Sequence, residues 1–201
     1  GGIYRDQINV SGINGYRTPS FYIDAPIIRG FGKNDWVGVG AVFYNDQAGV
    51  GKLTQQGFLG SASYHLGLSK KGKSHLTLGV QGGMISRTVD TGSALWFFGN
   101  ELSVNGGQEM QEDPDRQRIG DKSYLDINAG LLFKSQLNKV TTMELGLAFK
   151  HINQAEYSLL GDMAEKLPMR MTAHGTFDVG LSDKWSLIPS FLFDNIEKMN
   201  E

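Results

Sequence analysis

The chain has no cysteine among its 201 residues. That excludes a disulfide framework, a thiolate nucleophile and a cysteine-ligated metal site. It also lacks any apolar run near the ~18 residues of a membrane-spanning helix; the longest useful one is Ala94–Phe98. A membrane, if crossed at all, must be crossed by a closed barrel, because only that arrangement satisfies every strand backbone group in lipid. Histidine is scarce: His65, His75, His151 and His174 lie far apart and form no H-x-x-x-H or similar pair. Net charge is small, −2 with a pI near 6.1, so nothing pulls the chain toward nucleic acid or anionic lipid in general. Helical patterning is almost missing, with Met163–Leu167 the one candidate beyond a turn. The opening Gly1-Gly2-Ile3 carries no signal-peptide pattern and reads as a processed or trimmed start.

What is present is alternation. Between Ser123 and Phe133, Leu125, Ile127, Ala129, Leu131 and Phe133 oppose Tyr124, Asp126, Asn128 and Gly130, with Leu132 the exception. After a turn at Gln136–Lys139, Met143, Leu145, Leu147 and Phe149 alternate with Thr142, Glu144, Gly146, Ala148 and Lys150. Period two over two arms across a short turn is a β-hairpin with one apolar and one polar face. Each arm is close to the roughly 9–11 residues that cross a bilayer when tilted. The 27 glycines, many inside strand-like runs, would weaken soluble strands; they suit a barrel wall that bends and has a crowded interior.

The pattern predicts nine strands, at about 2–10, 16–28, 35–44, 56–69, 74–88, 123–135, 140–151, 169–182 and 185–195, with alternation clearest in the fourth, fifth and eighth. Pro19 and Pro26 fit the second only near its ends or at an irregularity. Short turns are expected at 30–34, 70–73, 136–139 and 183–184, and longer loops at 45–55, 89–122 and 152–168; 11–15 is short and breaks the alternation. Antiparallel neighbours then sort short turns to one end and long loops to the other, as outer-membrane barrels do. Trp36 and Trp185 after short turns, with Tyr44 and Tyr124 beside long loops, are candidates for two interfacial aromatic girdles. The fold class expected is therefore all-β, an antiparallel transmembrane outer-membrane β-barrel formed by residues 1–201 as a single domain. Nine is an odd number, so either the pattern misses a strand or the chain is a portion of a longer barrel, and the second is the expectation favoured.

Three groups of side chains are candidate functional residues. Asp126, Lys134, Glu144, Lys150, Arg170, His174 and Asp178 share the polar face and are expected to line a lumen. Trp96, Phe97 and Phe98, followed by Glu109, Glu112, Asp113 and Asp115, mark the long loop 89–122 as a partner-binding element or a plug over its own lumen. Lys33, Lys70, Lys71, Lys73, Lys139 and Lys184 in the short turns would form a periplasmic rim, solvated or used for docking. Catalytic signals are weak. Gly67–Ser74 matches GxxxxGK[ST], but the alternating His75–Val80 behind it is a strand where phosphate binding needs a helix. His174 and Asp178 share one face four residues apart, about 13 Å along a strand, so they cannot pair. Glu112, Asp113 and Asp115 lack EF-type spacing for Ca²⁺. Neither a catalytic residue nor a metal or other cofactor is expected.

Several motifs are familiar in combination. Tyr4-Arg5-Asp6-Gln7, Tyr16-Arg17-Thr18-Pro19-Ser20 leading to Asp24-Ala25-Pro26, Gly38-Val39-Gly40 through Tyr44-Asn45-Asp46-Gln47-Ala48-Gly49, and Ala62-Ser63-Tyr64-His65-Leu66 before a lysine-rich turn resemble the PorP/SprF family of Bacteroidota outer-membrane proteins. The resemblance implies a non-enzymatic barrel of the type IX secretion and gliding machinery in the bacterial outer membrane, one that helps secrete or retain a surface adhesin. Its implied partners are the secreted adhesin or its C-terminal domain, periplasmic peptidoglycan-linked components and outer-membrane lipid, with no nucleic acid. It assigns no site residues. Family members normally have a segment before the position of Tyr4 and continue beyond 201 with further strands. Two other readings stay open: an outer-membrane diffusion or transport barrel selecting solute by lumen charge, and a soluble or enzymatic β-sandwich.

Overall fold

The computed structural model describes residues 1–7, 15–30, 32, 34–49, 52–69, 71–90, 119–160 and 165–196. Their architecture is a single ten-stranded antiparallel sheet: β1 (Gly2–Asp6), β2 (Arg17–Arg29), β3 (Trp36–Ala48), β4 (Leu53–Gly67), β5 (Ser74–Thr88), β6 (Lys122–Gln136), β7 (Thr141–Lys150), β8 (Arg170–Ser182), β9 (Trp185–Leu187) and β10 (Ser190–Ile196). Each strand from β1 to β8 pairs with the next, and both β9 and β10 pair with β8. No helix occurs among the described residues, so the candidate at Met163–Leu167 is not supported. Residues 161–164 lie outside the described residues, and Lys166 bridges Glu156 instead.

The sheet is not closed into a barrel. β1 and β10 end its path and do not pair with each other, whereas closure requires every strand to have two neighbours. The expected ninth strand is two. Pro189 offers no N–H to the ladder, so regular pairing lapses at Ile188-Pro189, although the Pro189 carbonyl still accepts from Phe177 N at 3.0 Å. Register is unchanged across the gap, Val179 facing Leu187 and Thr176 facing Ser190. The prolines of β2 behave as expected: Pro19 lies near its start, opposite Tyr4, and the β2–β3 register shifts between Pro26 and Ile28.

Loop sorting is looser than expected. β3 runs to Ala48 and β4 starts at Leu53, so the third connection is a tight turn and not the loop 45–55. Gly49, with φ +71°, and Lys52, with φ +45°, close it, and Lys52 N donates to Gly49 O. The two long connections, 89–121 and 151–169, do share its end of the sheet, opposite the turns 30–35, 68–73, 137–140 and 183–184.

Directly opposed residues in antiparallel strands lie on the same face, so register assigns faces across the sheet. One face carries rows such as Phe21–Phe43–Phe58–Met84–Leu125 and Tyr64–Leu78–Leu131–Leu147. It is open: Phe58 is 62% exposed, Leu78 58% and Met84 53%. The other face holds the buried residues Leu59, Ile85, Tyr124 and Asp126, the last only 3% exposed. An apolar face left open, beside an enclosed face that buries a carboxylate among Leu59, Ile85 and Tyr124, departs from a soluble sheet, which hides its apolar face against a second layer. No second layer covers the apolar rows among the described residues.

Glycine makes room on the enclosed face. Gly57 sits beneath the Tyr44 ring, where a Cβ would overlap it, and Gly146 sits beneath the His174 imidazole in the same way. Gly57→Val should therefore displace Tyr44 and lower stability by about 1–3 kcal/mol, the usual cost of overpacking. Urea unfolding in lipid is the measurement; an unchanged midpoint would show that the ring has space to spare.

Candidate functional site

Because β2 to β8 present one face each to a shared space, the sheet curls around two cavities. The larger, about 900 Å³, lies at the turn end and is bounded by Asp24, Arg29, Asp35, Trp36, His65 and His75. The second lies toward the loop end, about 740 Å³, and is lined by Tyr44, Arg87, Tyr124, Asp126, His151, Tyr157 and His174 among others.

At the turn end, Trp36 opposes His65 across β3 and β4 and stacks on it, with ring centroids 4.3 Å apart. His75 meets Trp36 edge-on at 4.8 Å. The His65 ring is held from both nitrogens: Nε2 meets Ser63 Oγ at 3.0 Å and Nδ1 meets Thr77 Oγ1 at 2.8 Å. A serine beside a histidine suggests a nucleophile and its base, but a threonine occupies the place where a triad needs a carboxylate. Asp35 lies just outside the strands, accepting from the Gly67 amide and the Tyr64 hydroxyl, each at 2.8 Å. These bonds, the Gly67 amide first, hold its carboxyl below the usual range.

At the loop end, Asp126 is fully engaged. His151 Nδ1 lies 2.7 Å from Oδ1, and Asn128 Nδ2 donates to Oδ2 at 3.1 Å. Asn128 Oδ1 in turn accepts from the His151 amide at 2.9 Å. His151 takes φ +57° at the end of β7, which turns its side chain back over β6. A buried carboxylate with both oxygens bonded is a structural anchor, and no hydroxyl nucleophile bonds to this histidine among the described residues.

The expected polar-face residues do share the enclosed face. Register opposes Lys134 to Glu144, Lys150 to Arg170, and His174 to Gly146, all in line with Asp126. They pair locally: Lys134 Nζ reaches Glu144 at 3.2 Å, and Arg170 makes a two-pronged bond to Asp194 on β10. Asp178 lies at the exposed turn end, opposite Thr142. Lys71, Lys73, Lys139 and Lys184 all fall in the short turns at that end. Lys33 and Lys70 lie outside the described residues, as do Trp96, Phe97, Phe98, Glu109, Glu112, Asp113 and Asp115.

The girdle assignment needs correcting. Trp36, Tyr44 and Tyr124 face the enclosed side by register, and Tyr124 is only 8% exposed. They sit at suitable heights but on the wrong face, because position along a strand does not fix which way a ring points. Tyr64, on the open face and tied to Asp35, is a tyrosine that does meet both conditions; Trp185 is 74% exposed. Arg87, Asn128, His151 and Tyr157 are not among the candidates that the sequence suggests. The partners of Arg87, His151 and Tyr157 are distant in the chain, and only Asn128, two positions from Asp126 with the same parity, is hinted at by the sequence. No cluster of three metal-ligating side chains occurs among the described residues.

Asp35 gives a pH-dependent prediction. A depressed carboxylate stabilises the fold above its unfolded pKa near 3.9 and loses that contribution as pH falls through its lower folded value. Asp35→Asn should therefore lower the melting temperature at pH 7, and the gap to the unaltered protein should close below about pH 4. A gap of unchanged size as pH falls through the acid range would assign the effect to shape and not to charge.

The model of one family, described as type IX secretion system membrane protein PorP/SprF, matches residues 1–201. No curated protein and no solved structure matches the chain. With a match over its whole length, and a sheet that leaves its apolar face open, this chain belongs to the PorP/SprF family of type IX secretion system membrane proteins.

Proposed function

We propose that the enclosed polar face lines the lumen of an outer-membrane β-barrel. In this reading the protein is a non-enzymatic component of the type IX secretion and gliding machinery that helps secrete or anchor a surface adhesin. The observation that supports it is the inverted burial: the Tyr64–Leu78–Leu131 row is exposed while Asp126 is 3% exposed. A face of that kind suits hydrocarbon, and strands can occupy hydrocarbon only when their backbone groups are all paired. A threonine in place of a carboxylate behind His65, and a carboxylate in place of a nucleophile beside His151, favour a binding role over a catalytic one.

Loop and rim residues supply the contacts in this reading. The secreted adhesin, through its C-terminal domain, engages the long loop with Trp96, Phe97, Phe98, Glu109, Glu112, Asp113 and Asp115. Lys33, Lys70, Lys71, Lys73, Lys139 and Lys184 face peptidoglycan-linked components in the periplasm. Asp126, Glu144, Lys150, Arg170, His174 and Asp178 keep the interior polar.

Two experiments test these roles separately. Leu131→Arg, on the open face near the middle of β6, should cost about 2–4 kcal/mol in bilayers, the penalty for a cation at the midplane. No change in lipid-vesicle stability would remove hydrocarbon from that face. Deleting residues 93–118 should abolish capture of the secreted partner while the heat-modifiable band of the folded protein persists. Undiminished capture would end the recognition role of the loop, and a large steady conductance in planar bilayers would favour a diffusion channel.

A further inference from the structure

The connection from β7 to β8 does not stand away from the sheet. It crosses the enclosed face, where Tyr157 and Leu167 form part of the wall of the 740 Å³ cavity. Its two halves are held very differently.

The first half continues β7. Ile152 N donates to Ile127 O at 2.9 Å, and Asn153 grips the β6 backbone twice, donating to Leu125 O at 2.6 Å and accepting from Ile127 N at 3.1 Å. With the His151–Asp126 bond at 2.7 Å, this half is fixed to the sheet. A sharp turn follows, in which Gln154 N donates to His151 O and both residues have positive φ, +43° and +57°. Non-glycine residues persist in that region only where their surroundings hold them.

The second half is a small flap. Tyr157 N donates to Glu165 O at 3.1 Å and Leu167 N to Ala155 O at 2.9 Å. A lone two-stranded ribbon is marginal in water, so its position depends on its ties to the rest. Gly120 N donates to Leu159 O, which ties the flap to the neighbouring loop and not to a strand. Lys122 and Glu156 approach to 3.8 Å at an exposed site, where an ion pair contributes little. The other tie to a strand among the described residues is Arg87 on β5. Its Nη1 donates to Tyr157 O at 3.1 Å, and its guanidinium carbon lies 5.1 Å from the centre of the Tyr157 ring. This tie carries its own counterweight, because Arg87 Nε is buried without a hydrogen-bond partner. Leaving such a donor unpaired takes back part of what the bond and the ring contact return. A clasp that keeps only a modest net gain holds the strap down and can still open.

We propose that residues 155–160 and 165–167 form a strap that closes the loop end of the cavity, with Arg87 as its latch. Opening the strap hydrates Arg87 Nε and exposes the enclosed face to the loop side. The strap thereby controls access to the interior of the fold, a role that rests on the lumen reading and goes beyond it.

The cysteine-free chain makes the test clean. The full-length protein carrying Gln81→Cys, which places a thiol in the cavity wall, is treated in outer-membrane vesicles with a membrane-impermeant maleimide from the loop side. Labelling should be slow with Arg87 present and at least about tenfold faster with Arg87→Ala, the scale of losing one charge-assisted bond and its ring contact. Tyr157→Ala, which keeps the backbone carbonyl, should give a smaller acceleration; it also serves if Arg87→Ala fails to show the heat-modifiable folded band. Equal rates in the presence and absence of the Arg87 or Tyr157 side chain would overturn the latch. A fluorophore on Leu131→Cys, read by brominated-lipid quenching, separates the two ideas. Quenching with equal maleimide rates removes only the latch, whereas no quenching removes the lumen reading beneath it.

Discussion

The whole arrangement depends on pairing parity. In an antiparallel ladder, opposed residues share a face, and the side-chain period is two, so one register carries a choice of face from strand to strand. Between β3 and β6 that choice is the same throughout: Tyr44, Gly57, Ile85 and Tyr124 lie in one enclosed row, while Phe43, Phe58, Met84 and Leu125 lie in one open row. A slip of one residue by β6 against β5 would turn Asp126 outward and Leu125 inward. In a hydrocarbon setting that exchange would strand a charge in lipid, so register is strongly specified without a second layer of structure to select it.

The enclosed face solves a crowding problem that the open face does not have. Curling the sheet brings large side chains from neighbouring strands together, and glycine relieves the contact where one ring must lie across an adjacent strand, Tyr44 over Gly57 and His174 over Gly146. Charges brought together in the same way are matched, Lys134 with Glu144 and Arg170 with Asp194, and Asp126 is hydrogen-bonded to His151. The result is an interior in which these groups are paired, the condition under which polar groups tolerate enclosure, with Asn45 Oδ1 and Arg87 Nε as exceptions.

Much of the fold is legible from local pattern. β5, β6 and β8 begin and end within one or two residues of where alternation places them, because each carries a nearly uninterrupted period of two. The two long connections are legible from the loss of that period. Boundaries fail where polar residues continue a strand: Asn45, Asp46 and Gln47 look like loop yet pair with Gln56, Gln55 and Thr54, since ladder bonds are made by the backbone and do not depend on side-chain polarity. The split of the last strand is hidden in Pro189, whose effect depends on whether its missing N–H faces β8.

Sequence alone determined the material of this protein: an all-β chain without cysteine or a spanning helix, whose alternation separates Leu125, Ile127 and Leu131 from Asp126 and Asn128. Those properties are local, written into residues one and two positions apart. Which face is enclosed, that Trp36 rests on His65 and not in a girdle, and that His151 returns to Asp126 while Arg87 holds Tyr157, were decided only when distant strands met. These contacts join residues 25 to 70 positions apart, and no local pattern encodes a partner at that distance; register and curvature of the assembled sheet supply it.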